Sequence, residues 1–215
     1  MGFKWPKSIE ERPLIKEIIG KTINFIDGSS AEVDAIILCT GYRYHFPFLG
    51  EDLRLHSTLS MYPTGLYKGS LWINGGNNKL FYMGVQDQYY TFTMFDAQGQ
   101  WMSRYIMGLA PGESKSNQDM RADEQSWVKR AKKLKDCHDD IDFQTDFLQS
   151  LITGTGYDVR SLNAGRLLHS WEHSKVENIV TYRDKQFKSV FTGTVGAEHK
   201  PWMEDLDDSI ASFVN

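Results

Sequence analysis

The sequence predicts an α/β fold in which the strands come first and the helices follow. Apolar runs bounded by glycine-rich turns indicate two pairs of strands, over residues 22–39 and 66–85. From Thr91 onwards the apolar residues recur at helical spacings, which is typical of amphipathic helices. We expect the sheet to be covered, because one of the predicted strands is apolar on both faces.

The first pair of strands is a predicted β-hairpin. Ile23 and Phe25 alternate with polar residues in its outer strand, and residues 27–29 form the turn. The return strand, residues 33–39, is apolar on both faces and is expected to lie buried inside the sheet. The second pair consists of "LYKGSLWI" and "KLFYMGV", joined by a turn at residues 74–78.

The first helix is predicted to begin near Thr91 and to bury one apolar face against the sheet. The apolar spacing places five residues on that face: Phe92, Phe95, Met102, Ile106 and Leu109. Three helix-breaking residues are expected to end the helix: Gly108, Pro111 and Gly112.

Three further helices are predicted towards the end of the chain. Residues 114–140 are polar nearly all round and predict an exposed helix with its loop. Residues 141–153 form a short amphipathic helix, which Gly154 and Gly156 end. The last helix is predicted over residues 161–184, and its apolar residues are Leu167, Leu168, Trp171, Ile179 and Val180.

The composition excludes several classes of function. The 215 residues carry a net charge of −4, which argues against nucleic acid as the main partner. No stretch approaches the roughly 18 uninterrupted apolar residues of a membrane span. The two cysteines, Cys39 and Cys137, do not make a disulfide framework, which favours a reducing compartment. We therefore expect a cytoplasmic protein that binds neither nucleic acid nor membrane.

A candidate ligand site lies at the start of the first helix, which directly follows the strand "KLFYMGV". Its free backbone N–H groups and positive dipole end would lie at the carboxyl edge of a sheet, where open α/β sheets bind ligands. The connection at residues 86–91 adds amide, carboxylate, phenol and hydroxyl groups. These groups suit a phosphate or the pyrimidine carbonyl of a flavin. The structural alternative is that Thr91 only caps the helix and that the glutamines face solvent.

A rival hypothesis is a zinc hydrolase, because "HSWEH" fits the H-x-x-E-H pattern of one class of zinc peptidase. His169 and His173 would bind the metal one helical turn apart, with Glu172 as base. A third ligand would come from downstream residues: Glu177, Glu198, His199 or Glu204. Such a short pattern often arises by chance, so surface histidines on an amphipathic helix are the simpler explanation.

Four segments of the sequence resemble one family: "VDAIILCTGYRYHFPFL", "FYMGVQDQYYTFTMFDAQ", "YRDKQFKSVFTGT" and "PWMEDLDDS". They are similar to the carboxyl-terminal half of the flavin-containing monooxygenases, most closely the bacterial trimethylamine monooxygenases. The resemblance runs from about Phe3 to the end and covers none of the family's amino-terminal half. In keeping with this, no G-x-G-x-x-G motif follows any predicted strand.

The resemblance implies the carboxyl-terminal part of a flavoprotein with two dinucleotide-binding domains, one for FAD and one for NADPH. Residues 1–40 would be the tail of the NADPH-binding domain, and residues 41–215 the carboxyl-terminal part of the FAD-binding domain. The corner at residues 39–42 resembles the hinge through which the family's chain passes between them. Small residues there would let the backbone pass close beneath the cofactor.

The resemblance also implies roles for individual residues. Gln88 and Thr91 fall on positions that lie against the flavin at the amino terminus of the helix. Three further residues match positions that approach the nicotinamide ribose of bound NADP: Asp87, Trp171 and Arg183. Tyr89 stands where the bacterial relatives carry Trp, so we expect it to shape the substrate pocket.

The implied activity is the NADPH- and O₂-dependent oxygenation of a soft nitrogen or sulfur nucleophile, such as trimethylamine. The chain would be inactive without an amino-terminal half, which a separate gene could encode. The alternative is a non-catalytic interaction module whose uncovered apolar surface binds a partner. Either hypothesis predicts an oligomer, of identical copies or with a different chain.

Overall fold

The computed structural model describes residues 3–76, 78–110, 115–158 and 161–195. Strands and short turns of helix occupy the first part of the chain, and four long helices follow. The strands are β1 (Ile15–Ile19), β2 (Thr22–Phe25), β3 (Ser30–Glu32), β4 (Leu66–Tyr67) and β5 (Leu71–Trp72). The helices are α1 (Phe92–Ile106), α2 (Asn117–Ala131), α3 (Cys137–Ile152) and α4 (Ser161–Glu177). The predicted order of strands before helices is confirmed.

β1, β2 and β3 form a three-stranded antiparallel sheet. The predicted hairpin between β2 and β3 is confirmed, with Ile23 opposite Ala31. Its turn forms because Gly28 adopts a positive φ of 86° and the Asp27 carboxylate accepts a hydrogen bond from the Ser29 backbone at 2.9 Å. Sequence patterning did not reveal β1, which pairs with the other edge of β2.

The buried return strand predicted over residues 33–39 is wrong. β3 ends at Glu32, and the apolar residues beyond it face solvent, with Ile37 85% and Leu38 79% exposed. A strand that is apolar on both faces is buried only where layers cover both sides of its sheet. In the part of the chain that the structure describes, no element covers this segment.

The second predicted strand pair is correct in part. "LYKGSLWI" is not one strand but the tight hairpin β4–β5, because Lys68 and Gly69 both adopt positive φ, at 51° and 62°. Such a two-residue turn matches the natural twist of paired strands. β5 then meets the following segment, where the Trp72 N–H donates to the Leu80 carbonyl at 2.9 Å. Pairing across residues 74–78 is thereby confirmed, although Asn77 lies outside the described residues.

α1 and α3 pack together in the core, and the predicted apolar face of α1 is correct for Met102 but wrong for three of its five residues. Phe92, Ile106 and Leu109 are exposed, and the buried face instead consists of Met94, Ala97, Gln98, Trp101 and Met102. These residues recur at i, i+3, i+4, i+7 and i+8, the spacing of a single helical face. The face was missed because it contains a buried glutamine. Gly108 has a positive φ beyond the helix, whereas Pro111 and Gly112 lie outside the described residues.

The remaining helices occur where the sequence predicts them, but the last one is shorter than the predicted stretch 161–184. A capping box at Ser116 begins α2, and the Asp136 side chain begins α3 four residues before the predicted start. α4 ends at Glu177, so Ile179 and Val180 lie beyond it, before a short turn of helix over Tyr182–Asp184. Within the described ranges, no helix has the length and apolar character needed to span a membrane.

Candidate functional site

The connection between the second strand pair and α1, residues 86–91, is the framework of the candidate site. Gln86 is buried, and its side-chain carbonyl accepts a hydrogen bond from the side-chain NH₂ of Gln98 at 2.7 Å. The Gln98 carbonyl in turn accepts from the Gly84 N–H at 3.2 Å. The alternative in which the glutamines of the connection face solvent is therefore wrong for Gln86.

α3 holds the same connection from the other side. The side-chain carbonyl of Gln144 accepts a hydrogen bond from the backbone N–H of Tyr89 at 2.8 Å. The side-chain NH₂ of Gln144 donates to the backbone carbonyl of Asp87. The Asp87 N–H donates to the Ser60 carbonyl at 3.0 Å. The backbone on both sides of Gln88 is thus fixed by long-range contacts.

Gln88 and Thr91 carry unused hydrogen-bonding capacity at the start of α1. Both polar atoms of the Gln88 amide are buried and have no partner in the structure. The Thr91 side chain makes no capping hydrogen bond, so its role as a simple cap is wrong, and its backbone has a φ of 37°. Buried polar groups are nearly always paired in folded proteins. An unpaired amide beside a free helix amino terminus fits a ligand with carbonyl and N–H groups.

A cavity of about 530 Å³ opens beside these groups. It brings together four of the residues predicted from sequence: Gln88, Tyr89, Thr91 and Trp171. α4 supplies the opposite wall, because one face of that helix turns Leu168, Trp171, Glu172 and Lys175 towards the cavity. The site is therefore assembled from segments about 80 residues apart in the chain.

The structure places the other two predicted residues outside this cavity. Asp87 is exposed and lines a second cavity of about 330 Å³, beside Tyr44 and Ser60. Arg183 donates a hydrogen bond to the Tyr182 hydroxyl at 2.9 Å, and the Tyr182 ring lies 5.3 Å from the Trp171 ring. Arg183 thus reaches the cavity wall only through Tyr182. The nicotinamide-ribose roles of these residues stay predictions.

Two charged residues of the cavity were not assigned to a cofactor site from the sequence. Glu172 is buried, and its carboxylate lies 3.4 Å from the Lys175 ammonium. That ammonium also lies 5.3 Å from the centroid of the Trp171 ring. The only signal in the sequence was the position of Glu172 within "HSWEH", which suggested a catalytic base and not a buried wall of a pocket.

Burial raises the pKa of the Tyr89 phenol well above its ordinary value, and the nearby Glu172 carboxylate raises it further. Tyr89 therefore stays neutral throughout the physiological range. It presents a hydrogen-bond donor to the cavity and never a phenolate.

The histidines of "HSWEH" have partners other than a metal. His169 Nε2 lies 2.8 Å from the Asp142 carboxylate, and its Nδ1 lies 2.8 Å from Nδ1 of His138. His173 lies 3.3 Å from Glu177. Among the described residues, no group of three or more His, Cys, Asp or Glu could hold a metal ion. The other proposed ligands, Glu198, His199 and Glu204, lie outside the described residues.

Comparisons with known proteins agree with the resemblance. The family described as Flavin-binding monooxygenase-like matches residues 7–156. Trimethylamine monooxygenases from Methylocella silvestris and Pelagibacter ubique are each 43% identical over all of this chain, which covers 47% and 48% of their lengths. The crystal structure of Tmm from Pelagibacter sp. strain HTCC7211 matches with a TM-score of 0.83 and 40% identity, over 100% of this chain and 48% of that one.

The chain spans about half the length of the curated relatives it matches. The match nevertheless extends over all of this chain. A family match over more than half of the residues, together with this structural agreement, establishes the kinship. The chain belongs to the flavin-binding monooxygenase-like family.

Proposed function

We propose that this chain forms one wall of a flavin-dependent monooxygenase site that uses FAD, NADPH and O₂ to oxygenate a soft nitrogen or sulfur nucleophile. The observation that carries the proposal is the unpaired, buried amide of Gln88 beside the uncapped start of α1. The names of the relatives make trimethylamine the first substrate to test.

The residues present fit a flavin. The Gln88 amide offers one donor and one acceptor, which matches the alternating carbonyl and N–H groups of the pyrimidine ring. The positive dipole end at the start of α1 would favour electron-rich carbonyl oxygens there. Bound FAD supplies the transfer of reducing equivalents from NADPH to O₂, which is the cofactor's own chemistry.

The chain's own residues orient the ligands and exclude water. Trp171 gives the cavity an aromatic wall on which a nicotinamide ring can stack, and Asp87 and Arg183 would serve the attached ribose. The neutral phenol of Tyr89 would limit the size of the substrate and donate a hydrogen bond. In this proposal residues 1–40 belong to the NADPH-binding domain and residues 41–215 to the FAD-binding domain.

The matched half contains no glycine-rich dinucleotide motif after a strand. Such motifs bind the pyrophosphate of FAD and NADPH. In this proposal they belong to the half of the relatives that this chain does not match, either on a separate polypeptide or on the remainder of a longer one. We expect no turnover by this chain alone.

The test is the visible absorption spectrum of the purified chain, recorded alone and after co-expression with the unmatched half of a trimethylamine monooxygenase. A flavin spectrum in the co-purified pair, followed by trimethylamine-dependent NADPH oxidation, would support the proposal. Gln88→Leu should reduce flavin retention, whereas Gln100→Leu, an exposed change on α1, should not. A pair that forms but contains no flavin would contradict it.

A second candidate function is an interaction module without catalysis. The observation that favours it is the number of large apolar residues on the surface, including Leu38, Phe48 and Phe92. A stable complex that contains no flavin in any combination of chains would support this candidate over the first.

A further inference from the structure

We propose that Gln144 is the positioning residue of the candidate site. From α3 it holds the 86–91 connection in the conformation that presents Gln88 and the start of α1 to the cavity. The inference rests on the proposed function only for the identity of what the cavity binds. The hydrogen bonds between Gln144 and the connection lie within this chain and do not depend on that identity.

The contacts of Gln144 bracket Gln88. The Gln144 side chain is 2% exposed, and it accepts from the N–H of Tyr89 at 2.8 Å while donating to the carbonyl of Asp87. The Gln88 amide itself makes no hydrogen bond that could fix its direction. The direction of its amide is therefore set by the backbone that carries it, and Gln144 holds this backbone on both sides.

The next residue of α3 holds the following residue of the connection. The Thr145 hydroxyl donates to the Ile141 carbonyl at 2.7 Å and accepts from the Tyr90 hydroxyl at 2.5 Å. Two adjacent side chains of one helix thus bind two consecutive residues of the connection. α3 acts as a template for the site although it supplies no lining residue to the 530 Å³ cavity.

Glutamine suits this position because one planar amide combines an acceptor and a donor. An ionised glutamate only accepts, a lysine only donates, and asparagine is one methylene shorter. Replacement by glutamate keeps the size of the side chain and therefore tests the two hydrogen bonds separately. Its carboxylate can still accept from the Tyr89 N–H, but it places a negative oxygen against the Asp87 carbonyl. Once protonated, the carboxyl group donates to that carbonyl again.

The protonation state of the carboxyl group that Gln144→Glu introduces gives the test a clear direction. Burial raises the pKa of an isolated carboxyl group, so the two contacts should be complete at low pH and broken as pH rises through that pKa. The charges of Glu172, Asp140 and Asp87 reach the neighbouring Tyr89, and each would raise this pKa further. Lys175 of α4 would oppose them.

The experiment is amide NMR on the full chain, with Gln144→Met and Gln144→Glu compared with Gln125→Glu, an exposed change on α2. Gln144→Met should lower the hydrogen-exchange protection of the Tyr89 amide about tenfold, as expected for a lost buried hydrogen bond. The core amides of Leu148 and Leu151 should keep their protection. In Gln144→Glu, the resonances of residues 86–91 should match the wild type at about pH 5 and depart from it at about pH 8.

Unchanged protection at Tyr89, or an equal loss over all of α3, would overturn the proposal, because the second result means only a general contribution to stability. The absence of pH-dependent recovery in Gln144→Glu would also overturn it. Co-expression with the unmatched half adds a second readout, a flavin absorption band that shifts in Gln144→Glu at high pH alone. A wild-type pair without flavin would contradict the proposed function, while the amide measurements would still decide the role of Gln144.

Discussion

Glutamines occupy opposite environments in this chain, and no local pattern distinguishes them. Gln98 and Gln144 are buried at the centre of hydrogen-bond networks, whereas Gln100 and Gln125 are exposed. The 86–91 connection could be predicted from sequence because the helix start and its polar groups are local features. Gln144 could not be predicted, since its partners lie about 55 residues away in the chain.

Replacing Gln98 by leucine should destabilise the fold beside the site. The change leaves the backbone N–H of Gly84 and the side-chain carbonyl of Gln86 without partners in a buried region. We expect the free energy of unfolding to fall by about 3 kcal/mol. Urea unfolding would measure the loss. The matched control is Gln100→Leu, two residues along α1 on its exposed side, which should change stability by less than about 0.5 kcal/mol. Equal losses in the two variants would show that the Gln98 network contributes nothing specific.

At the scale of elements, the errors of prediction share one cause. The end of α3 was predicted correctly because Gly154 is a local stop signal, whereas its start was missed by four residues because Asp136 was not recognised as a cap. The buried face of α1 and the burial of residues 33–39 were wrong, because each depends on which other elements pack there. Periodicity predicts that a segment has an apolar face but not what covers it.

The amino terminus of α3 provides a prediction about pH. The backbone N–H groups of Asp139 and His138 lower the pKa of the Asp136 carboxyl from its ordinary value of 3.8. Because the pKa is lowered in the folded protein, the ionised cap stabilises the helix fully at pH values above the ordinary pKa of 3.8. This stabilisation is lost as the pH falls through the lowered pKa. Asp136→Ala should therefore lower Tm at neutral pH, and the difference from wild type should shrink in strong acid.

Asp136→Asn is the matched control, because it keeps a capping oxygen but does not titrate. Its Tm should fall less with acid than that of the wild type. If Asp136→Ala differed from wild type equally at neutral and strongly acid pH, the charge of the cap would have no role.

Two helical glycines give opposite expectations for alanine. At Gly165 of α4 a Cβ atom would lie 2.7 Å from the Thr145 hydroxyl oxygen and 3.2 Å from the Tyr90 hydroxyl. Gly165→Ala should therefore push α4 away from α3 and cost about 1–3 kcal/mol. At Gly99 of α1 the nearest atom would be 3.8 Å away, so Gly99→Ala should stabilise the helix by up to about 1 kcal/mol. Thermal unfolding would compare them, and a stabilising Gly165→Ala would contradict the close approach of α3 and α4.

At the scale of the whole molecule, several exposed apolar side chains lie close together. Tyr44, Phe48, Met83 and Phe92 are exposed, and we call them the apolar face. Two of the contacts in this region meet at Gly84. The Gly84 backbone carbonyl accepts a hydrogen bond from the Tyr44 hydroxyl at 2.9 Å, and the Phe95 ring packs against Gly84. Phe92 contacts Phe95, and Phe48 continues the face through Phe46 and Tyr44. The sequence predicted an uncovered apolar surface but not which residues form it, because that depends on packing between distant segments.

The apolar face predicts how the isolated chain behaves in solution. Exposed apolar area of this kind drives association, because each Å² of apolar surface removed from water stabilises the complex by about 25 cal/mol. We therefore expect concentration-dependent self-association in sedimentation velocity. Phe48→Ser combined with Met83→Ser should weaken it, whereas Val180→Ser, which removes an exposed apolar residue after α4, should not. The same double change should weaken co-purification with the unmatched half of a relative. Self-association that survives the double change would place the contact surface elsewhere, and the exposed strand β1 with its isoleucines would then be the next surface to substitute.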